Sequence, residues 1–150
     1  MAQASNAGMT RNTSFAKELA EISQIRSLRR SKISAYPTLS VVIATVRPND
    51  LENILKQMLK QSMPKFEILL GLHNIDLNGN HKALITKLKA RKVTVSHIKF
   101  AKSATLGEIL STLCEKSTGE YISKIDDDDY YGPEHPVSYT HLTLPTTSRV

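Results

Sequence analysis

The chain has 150 residues, 40% of them hydrophobic and 23% charged, with a formal net charge of +6 and a pI near 9.5. That length allows one ordinary domain with a real core, and that balance excludes wholesale disorder. The basic excess favours polyanionic partners (nucleic acid, an anionic membrane surface or phosphorylated substrates) without choosing among them.

Met1 to Asn12 is polar and small, and a loose start is expected there. From Thr13 to Lys32, Phe15, Leu19, Ile22, Ile25 and Leu28 recur at roughly helical spacing. Arg26, Arg29, Arg30 and Lys32 crowd the end, where cations suit the negative pole of a helix dipole. Such an amphipathic helix is expected to pack on its own domain with the basic end solvated. Docking on an anionic membrane surface is the second reading. Ser34 to Pro37 reads as a linker.

The regular part follows. Leu39–Thr45 is a nearly continuous β-branched run, the pattern of a strand buried on both faces. Asn49 with Glu52 three residues later resembles a capping box, and Leu51, Ile54, Leu55, Met58 and Leu59 form one apolar helical stripe. Phe66–Leu72 reads as a second strand, left by His73 and Asn74. After the Asn78-Gly79-Asn80 turn, Leu84, Ile85 and Leu88 predict a short helix, and Val93–Ile98 a third strand. Leu106, Ile109, Leu110, Leu113 and Cys114 share the stripe of another helix. Gly119 is placed where a C-terminal cap would fall, and Cys114 reads as a small buried hydrophobe. Tyr121–Ile125 is the last strand.

Strand and helix thus alternate, which predicts an α/β, mostly parallel sheet with right-handed crossovers and helices on both faces, preceded by an N-terminal helix. Ligands bind such sheets beyond the carboxyl ends of the strands. Arg47, Asn49 and Asp50 follow the first strand, His73 and Asn74 the second, and Asp126 to Asp129 the last, so all three groups are expected on one rim. The single cysteine excludes an internal disulfide framework and fits a reducing compartment. No apolar run approaches about 18 residues, and Met1–Thr10 lacks the apolar segment of a secretory signal. The expected location is the cytoplasm, with peripheral contact at the inner face of an anionic membrane as the further option.

The rim's chemistry centres on Asp126-Asp127-Asp128-Asp129. Two unit charges about 4 Å apart repel by roughly 1 kcal/mol in water and about four times that near a protein surface. Something must offset that cost, and a divalent cation is the simplest candidate. If strand geometry persists, Asp126 and Asp128 face one way, roughly 6.6 Å apart along the backbone, and suit one oxygen-seeking magnesium or manganese ion shared with a diphosphate. A solvated acidic turn without a ligand is the plain alternative. An EF-hand fails on spacing, because the sixth residue from Asp126 is Tyr131 and the twelfth Val137. The turn after the first strand has no glycine, which excludes the dinucleotide fingerprint, and no phosphate-binding G-x-x-x-x-G-K-[ST] loop occurs. A phosphoryl-receiver domain would need acids after the first strand and an aspartate after the third, where Val46-Arg47 and Lys99-Phe100 stand. A non-catalytic basic module that binds anionic lipid or nucleic acid is the remaining rival, although no aromatic platform for single strands is visible.

Leu39–Thr45, Phe66–Leu70 and the run from Ser117 through Gly119-Glu120-Tyr121-Ile122 to Asp129 resemble the donor half of family-2 glycosyltransferases, over Leu39 to about Pro136. The resemblance implies a GT-A fold, a nucleotide-sugar donor (a UDP-sugar foremost), a magnesium or manganese ion, and a glycan or lipid-linked acceptor of the cell envelope, with no specific nucleic acid. It implies Asp126 near the donor ribose and at the metal, Asp128 as metal ligand, and Thr45 to Arg47 along the nucleotide. His73-Asn74 stands where the family often has an acidic pair. Asn74 is the candidate to bond the base edge, and for His73 a rim histidine with no role stands beside a role in the site.

Three segments follow: 1–38 as tail and helix, 39–136 as the nucleotide-sugar-binding half, and 137–150 as a foreign tail of engineered, frameshifted or mis-assembled origin, with a short β-ribbon as the alternative. Gly132-Pro133-Glu134-His135 reads as a helix start. The catalytic base, commonly an acid beyond the metal motif, is unassigned, and the chain is expected to be a truncated, weakly active or inactive fragment.

Overall fold

The computed structural model describes residues 6–31, 37–133 and 135. The expected linker at 34–36, Glu134 and the tail at 137–150 lie outside the described residues. The chain divides into two compact units, Met1–Tyr36 and Pro37–Val150.

The first unit is a 26-residue helix, α1 (Asn6–Ser31). It starts well before Thr13, which corrects the expected loose stretch at Asn6–Asn12. Ala7, Met9 and Arg11 are good helix formers, and a polar sequence does not by itself oppose a helix. The residues of the expected apolar stripe are not buried: Phe15, Leu19, Ile22, Ile25 and Leu28 are all exposed. Their steps of four, three, three and three residues carry the stripe around the helix, so no single face collects them.

The second unit begins with β1 (Leu39–Thr45), α2 (Pro48–Leu59), β2 (Glu67–His73) and α3 (Gly79–Ala90). It continues with β3 (Thr94–Phe100), α4 (Leu106–Lys116) and β4 (Tyr121–Asp126). The four strands form one sheet in the order β3-β2-β1-β4, and every pairing is parallel. The expected element order and sheet type are therefore found.

Two cores sit on the two faces of the sheet. Val42 and Leu69 pack against Ile109 and Leu113 of α4, with Ala44, Ile98 and Phe100 alongside. Gly71 lets α4 approach, because a Cβ there would stand 2.5 Å from the Ile109 side chain. Alternation turns Val41, Ile43, Ile68 and Leu70 to the opposite face, and their complete burial sets α2 and α3 there. The α2 stripe delivers Leu51, Ile54, Leu55 and Met58 to this second core, each burial contributing about 1.5–3 kcal/mol relative to exposure.

Three local expectations are corrected. Arg47, not Asn49, is the N-cap of α2, with Pro48 in the first turn and no side-chain cap bond. Proline's fixed φ starts the helix two residues earlier than the Asn49-Glu52 pattern suggests. Capping boxes close α3 at Asn78–His81 and α4 at Thr105–Glu108 instead. Cys114 is exposed, since one residue beyond buried Leu113 the helix has turned about 100° away from the core. Gly119 does not cap α4, which ends at Lys116 with Ser117 as C-cap. Gly119 is instead pressed against β1, where a Cβ would lie 2.6 Å from the Ser40 nitrogen.

Candidate functional site

The sheet order places a switch point between β1 and β4. From β1 the chain steps outward through β2 to β3, then returns to the other side of β1. The helices before and after that reversal lie on opposite faces, so the loops leaving β1 and β4 diverge and open a crevice. The predicted rim groups meet there. A cavity of about 320 Å³ is lined by Thr45, Val46, Arg47, His73, Leu106 and Asp126 to Asp128, among others.

Asp126 ends β4, and the next three aspartates form a turn, so strand alternation does not run on as far as Asp129. Asp127 is the buried member, only 8% exposed. It receives a 2.5 Å hydrogen bond from the Thr45 hydroxyl, which in turn accepts the Arg47 backbone N–H at 3.3 Å. The sequence alone points to its neighbours Asp126 and Asp128 as the ligands. Its period with Ser123 and Ile125 puts it on the buried face, and the register Ala44↔Asp126 brings Thr45 level with it.

The protein supplies cations of its own to the cluster. Arg47 pairs with Asp50 at 2.7 Å, with Asp128 at 3.1 Å and with Asp127 at 3.5 Å. The hydrogen bond to Asp128, then the charge of Asp50, raises its pKa above the ordinary arginine value. Lys124 pairs with Asp126 at 2.6 Å, and that bond raises the lysine pKa. Repulsion among Asp126, Asp127 and Asp128 is therefore eased without a metal, which weakens the electrostatic necessity argued from sequence. Among the described residues no group of three or more His, Cys, Asp or Glu side chains is gathered to hold an ion. The donor set still fits a hard cation that arrives on a diphosphate, since magnesium takes one or two carboxylates and fills its shell with phosphate oxygens and water.

His73, for which the sequence leaves a role open, lines the cavity. Its Nε2 lies 3.1 Å from the Lys102 carbonyl, an acceptor only, so Nε2 carries the proton and Nδ1 is left as an acceptor in the neutral ring. Asn74 is not among the lining residues. It adopts the left-handed conformation (φ 56°), which asparagine tolerates, and its backbone N–H donates to the Phe100 carbonyl at 3.0 Å. Leu106, expected in the core, is 58% exposed at the start of α4 and forms an apolar wall of the cavity.

The acidic turn is held from α2. The Gln57 side chain donates to the Asp129 carbonyl at 3.1 Å and accepts the Tyr131 N–H at 2.7 Å. The Tyr131 hydroxyl accepts the Asp126 N–H at 2.9 Å. Burial, then the charges of Asp126 and Asp129, raises the Tyr131 pKa, so the phenol keeps its proton. Its ring meets His135 edge-on at 4.8 Å.

Neither a protein-family model nor a curated protein matches the chain. Solved structures do. S. aureus TarS 1-349 in complex with UDP matches with a TM-score of 0.56 and 20% identity, over 69% of this chain and 31% of that one. The same protein in complex with UDP-GlcNAc matches with a TM-score of 0.54 and 20% identity, over 69% and 30%. The mannosyltransferase PcManGT from Pyrobaculum calidifontis, in complex with GDP-Man and Mn2+, matches with a TM-score of 0.55 and 17% identity, over 89% of this chain and 43% of that one. The chain thus spans about a third of TarS 1-349 and less than half of the mannosyltransferase. At these identities what is shared is architecture, and the chain has a Rossmann-like glycosyltransferase fold.

Proposed function

We propose that the second unit binds the nucleoside-diphosphate part of a sugar donor, a UDP-sugar foremost, as the donor-side half of a glycosyltransferase. The observation that carries this reading is the convergence of Thr45, Arg47 and Asp126 to Asp128 on one cavity at the switch point. The complexes of structural neighbours with UDP, UDP-GlcNAc and GDP-Man support it. In this reading the backbone from Thr45 to Arg47 runs along the nucleotide, and Val46 and Leu106 flank it with apolar surface. His73 Nδ1 offers the base an acceptor for a ring N–H, a role that His73 fills better than Asn74. Asp126 lies toward the ribose. Asp126 and Asp128 would hold a magnesium or manganese ion, which would neutralise charge on the departing diphosphate. Arg47 contributes a positive charge beside the phosphates, and the Thr45 hydroxyl holds the Asp127 carboxylate in place. The acceptor class, a glycan or lipid-linked sugar, rests on the likeness of the motif alone.

Titration calorimetry with UDP tests this at millimolar nucleotide with and without Mn2+. Binding that needs the ion, and that Asp128→Ala weakens by about 100-fold, is the expected result; ligand losses cost at least as much as the 10–100-fold seen for outer-shell partners. Binding that ignores both metal and nucleotide but fades steeply with salt would hand the assignment to a basic docking module.

A further inference from the structure

Gln57 lies on α2, outside every motif that suggested the site, yet its side chain spans the acidic turn. One amide group makes two bonds of opposite sense, donating to the Asp129 carbonyl at 3.1 Å and accepting the Tyr131 N–H at 2.7 Å. The two bonds bracket Tyr130, so they hold the backbone that leaves the aspartates on both sides of one residue. An amide does this where a carboxylate, which cannot donate, or an ammonium, which cannot accept, would fail. The Tyr131 that Gln57 holds returns its hydroxyl to the Asp126 N–H at 2.9 Å, which closes a ring from α2 through the turn to the end of β4. A third tie follows downstream, where the Ser62 N–H donates to the Pro133 carbonyl at 2.8 Å.

Gln57 is itself fixed. Its residue belongs to the helix whose neighbours Ile54 and Met58 are fully buried, and its carbonyl accepts the Gln61 side-chain N–H at 3.3 Å. The far end of α2 is tied by Arg91, whose guanidinium donates to the Leu59 carbonyl and to the Gln61 carbonyl, the latter at 2.9 Å. The amide therefore sits on a rigid element, while the turn it grips carries Asp128, Asp129 and Tyr130, all exposed. Without that grip the exposed turn is held less firmly against α2, and a turn that shifts would not present Asp126 and Asp128 together.

We propose that Gln57 is a positioning residue for the donor site, acting through the Asp129 carbonyl and the Tyr131 N–H to hold the Asp126–Asp128 carboxylates in binding geometry. The inference rests on the nucleotide-binding reading given above. It predicts an effect confined to the diphosphate end of a ligand, because the Val46, His73 and Leu106 side of the cavity has no bond to Gln57.

The test uses the full chain with Gln57→Met, which keeps size and helix propensity while removing both bonds, and Tyr131→Phe, which removes only the acceptor for Asp126. Three quantities are measured: amide exchange at Asp126 and Tyr131 by NMR, affinity for UDP with Mn2+, and affinity for uridine, which has no phosphate. Gln57→Met is expected to speed Tyr131 exchange at least 10-fold and to weaken UDP about 10-fold with uridine unchanged. Tyr131→Phe is expected to speed Asp126 exchange with a smaller loss for UDP. Unchanged exchange in Gln57→Met, or faster exchange with undiminished UDP affinity, overturns the positioning role. Equal losses for UDP and uridine also overturn it, since they report general damage. If the unaltered chain binds neither UDP nor uridine, the nucleotide reading falls first, and that outcome is read before any variant is made.

Discussion

The two ends of the one sheet both gather acids, and they treat them in opposite ways. At the amino-terminal rim Glu67 accepts from the Ser40 hydroxyl and, at 2.6 Å, from the Thr118 N–H. The Gly119 N–H donates to Ser40 Oγ at 2.8 Å, and Glu120 accepts from the Thr38 hydroxyl at 3.2 Å. Among the described residues no cation takes part in this network. At the carboxyl-terminal rim four aspartates crowd together, partnered largely by Arg47 and Lys124, beside an open cavity. Neutral, fixed donors at the first rim make a latch for the loop before β4. Charged, half-exposed partners at the second make a surface whose ion pairs another cation or an anion is able to exchange. A count of acids does not separate a structural carboxylate from a functional one; the chemistry of its partners does.

The sharpest way to break this contrast is Gly119→Ala. The added Cβ would meet the backbone of Ser40 and Leu39 at 2.6 and 2.9 Å, where nothing flexible is able to yield. A loss of about 1–3 kcal/mol is expected in urea unfolding, with UDP affinity of the folded fraction unchanged. Equal stability would mean that the latch is loose. Next comes Thr45→Val at the other rim, which removes the hydroxyl that meets buried Asp127. Its expected cost is about 1–2 kcal/mol, and unlike Gly119→Ala it should also weaken UDP with Mn2+, because Asp127 and the Arg47 backbone both lean on that oxygen.

A pH titration sharpens the comparison further. Burial pushes the Glu67 pKa up, but the hydrogen bonds from Ser40 and Thr118 outweigh it and leave the value lowered. A lowered folded-state pKa means that stability from Glu67 is complete above the ordinary glutamate value of about 4.3 and is lost as pH falls through the folded one. Urea midpoints between about pH 5 and 3 should fall less steeply in Glu67→Gln than in the unaltered chain. Identical slopes would remove Glu67 from the latch. The smallest effect is expected of Arg47→Met. Its ion pairs with Asp50 and Asp128 are open to solvent and screened by it, so the melting temperature should hardly move while UDP affinity falls and its salt dependence flattens. A large drop in melting temperature would show that the carboxylates need Arg47 for folding as well.

The order of elements in the second unit was legible because short apolar runs and helical stripes alternate cleanly from Leu39 to Asp126, and burial of those apolar residues is what drives the fold. The common rim was legible for the same reason, since parallel strands send all their carboxyl ends one way. Residues whose place depends on neighbours far along the chain were not. Cys114 lies on the stripe by count but about 100° past Leu113 in space, and Gly119 meets β1 instead of closing α4. His73 was legible as a rim residue, but the bond to the Lys102 carbonyl that fixes its tautomer comes from the loop after β3. Gln57 sits on the polar side of an amphipathic helix, where sequence offers no reason to prefer one amide over another.

Composition and periodicity alone determined a parallel α/β unit with an acidic cluster at the exit of its last strand. Tertiary structure alone decided which aspartate is buried, which cations offset the cluster, and which glutamine holds it. Hydrophobic pattern is a local property, written once per turn or pleat. Hydrogen bonds and ion pairs between Thr45 and Asp127, Arg47 and Asp128, or Gln57 and Tyr131 join residues more than 70 positions apart, and only the packed sheet brings them within reach.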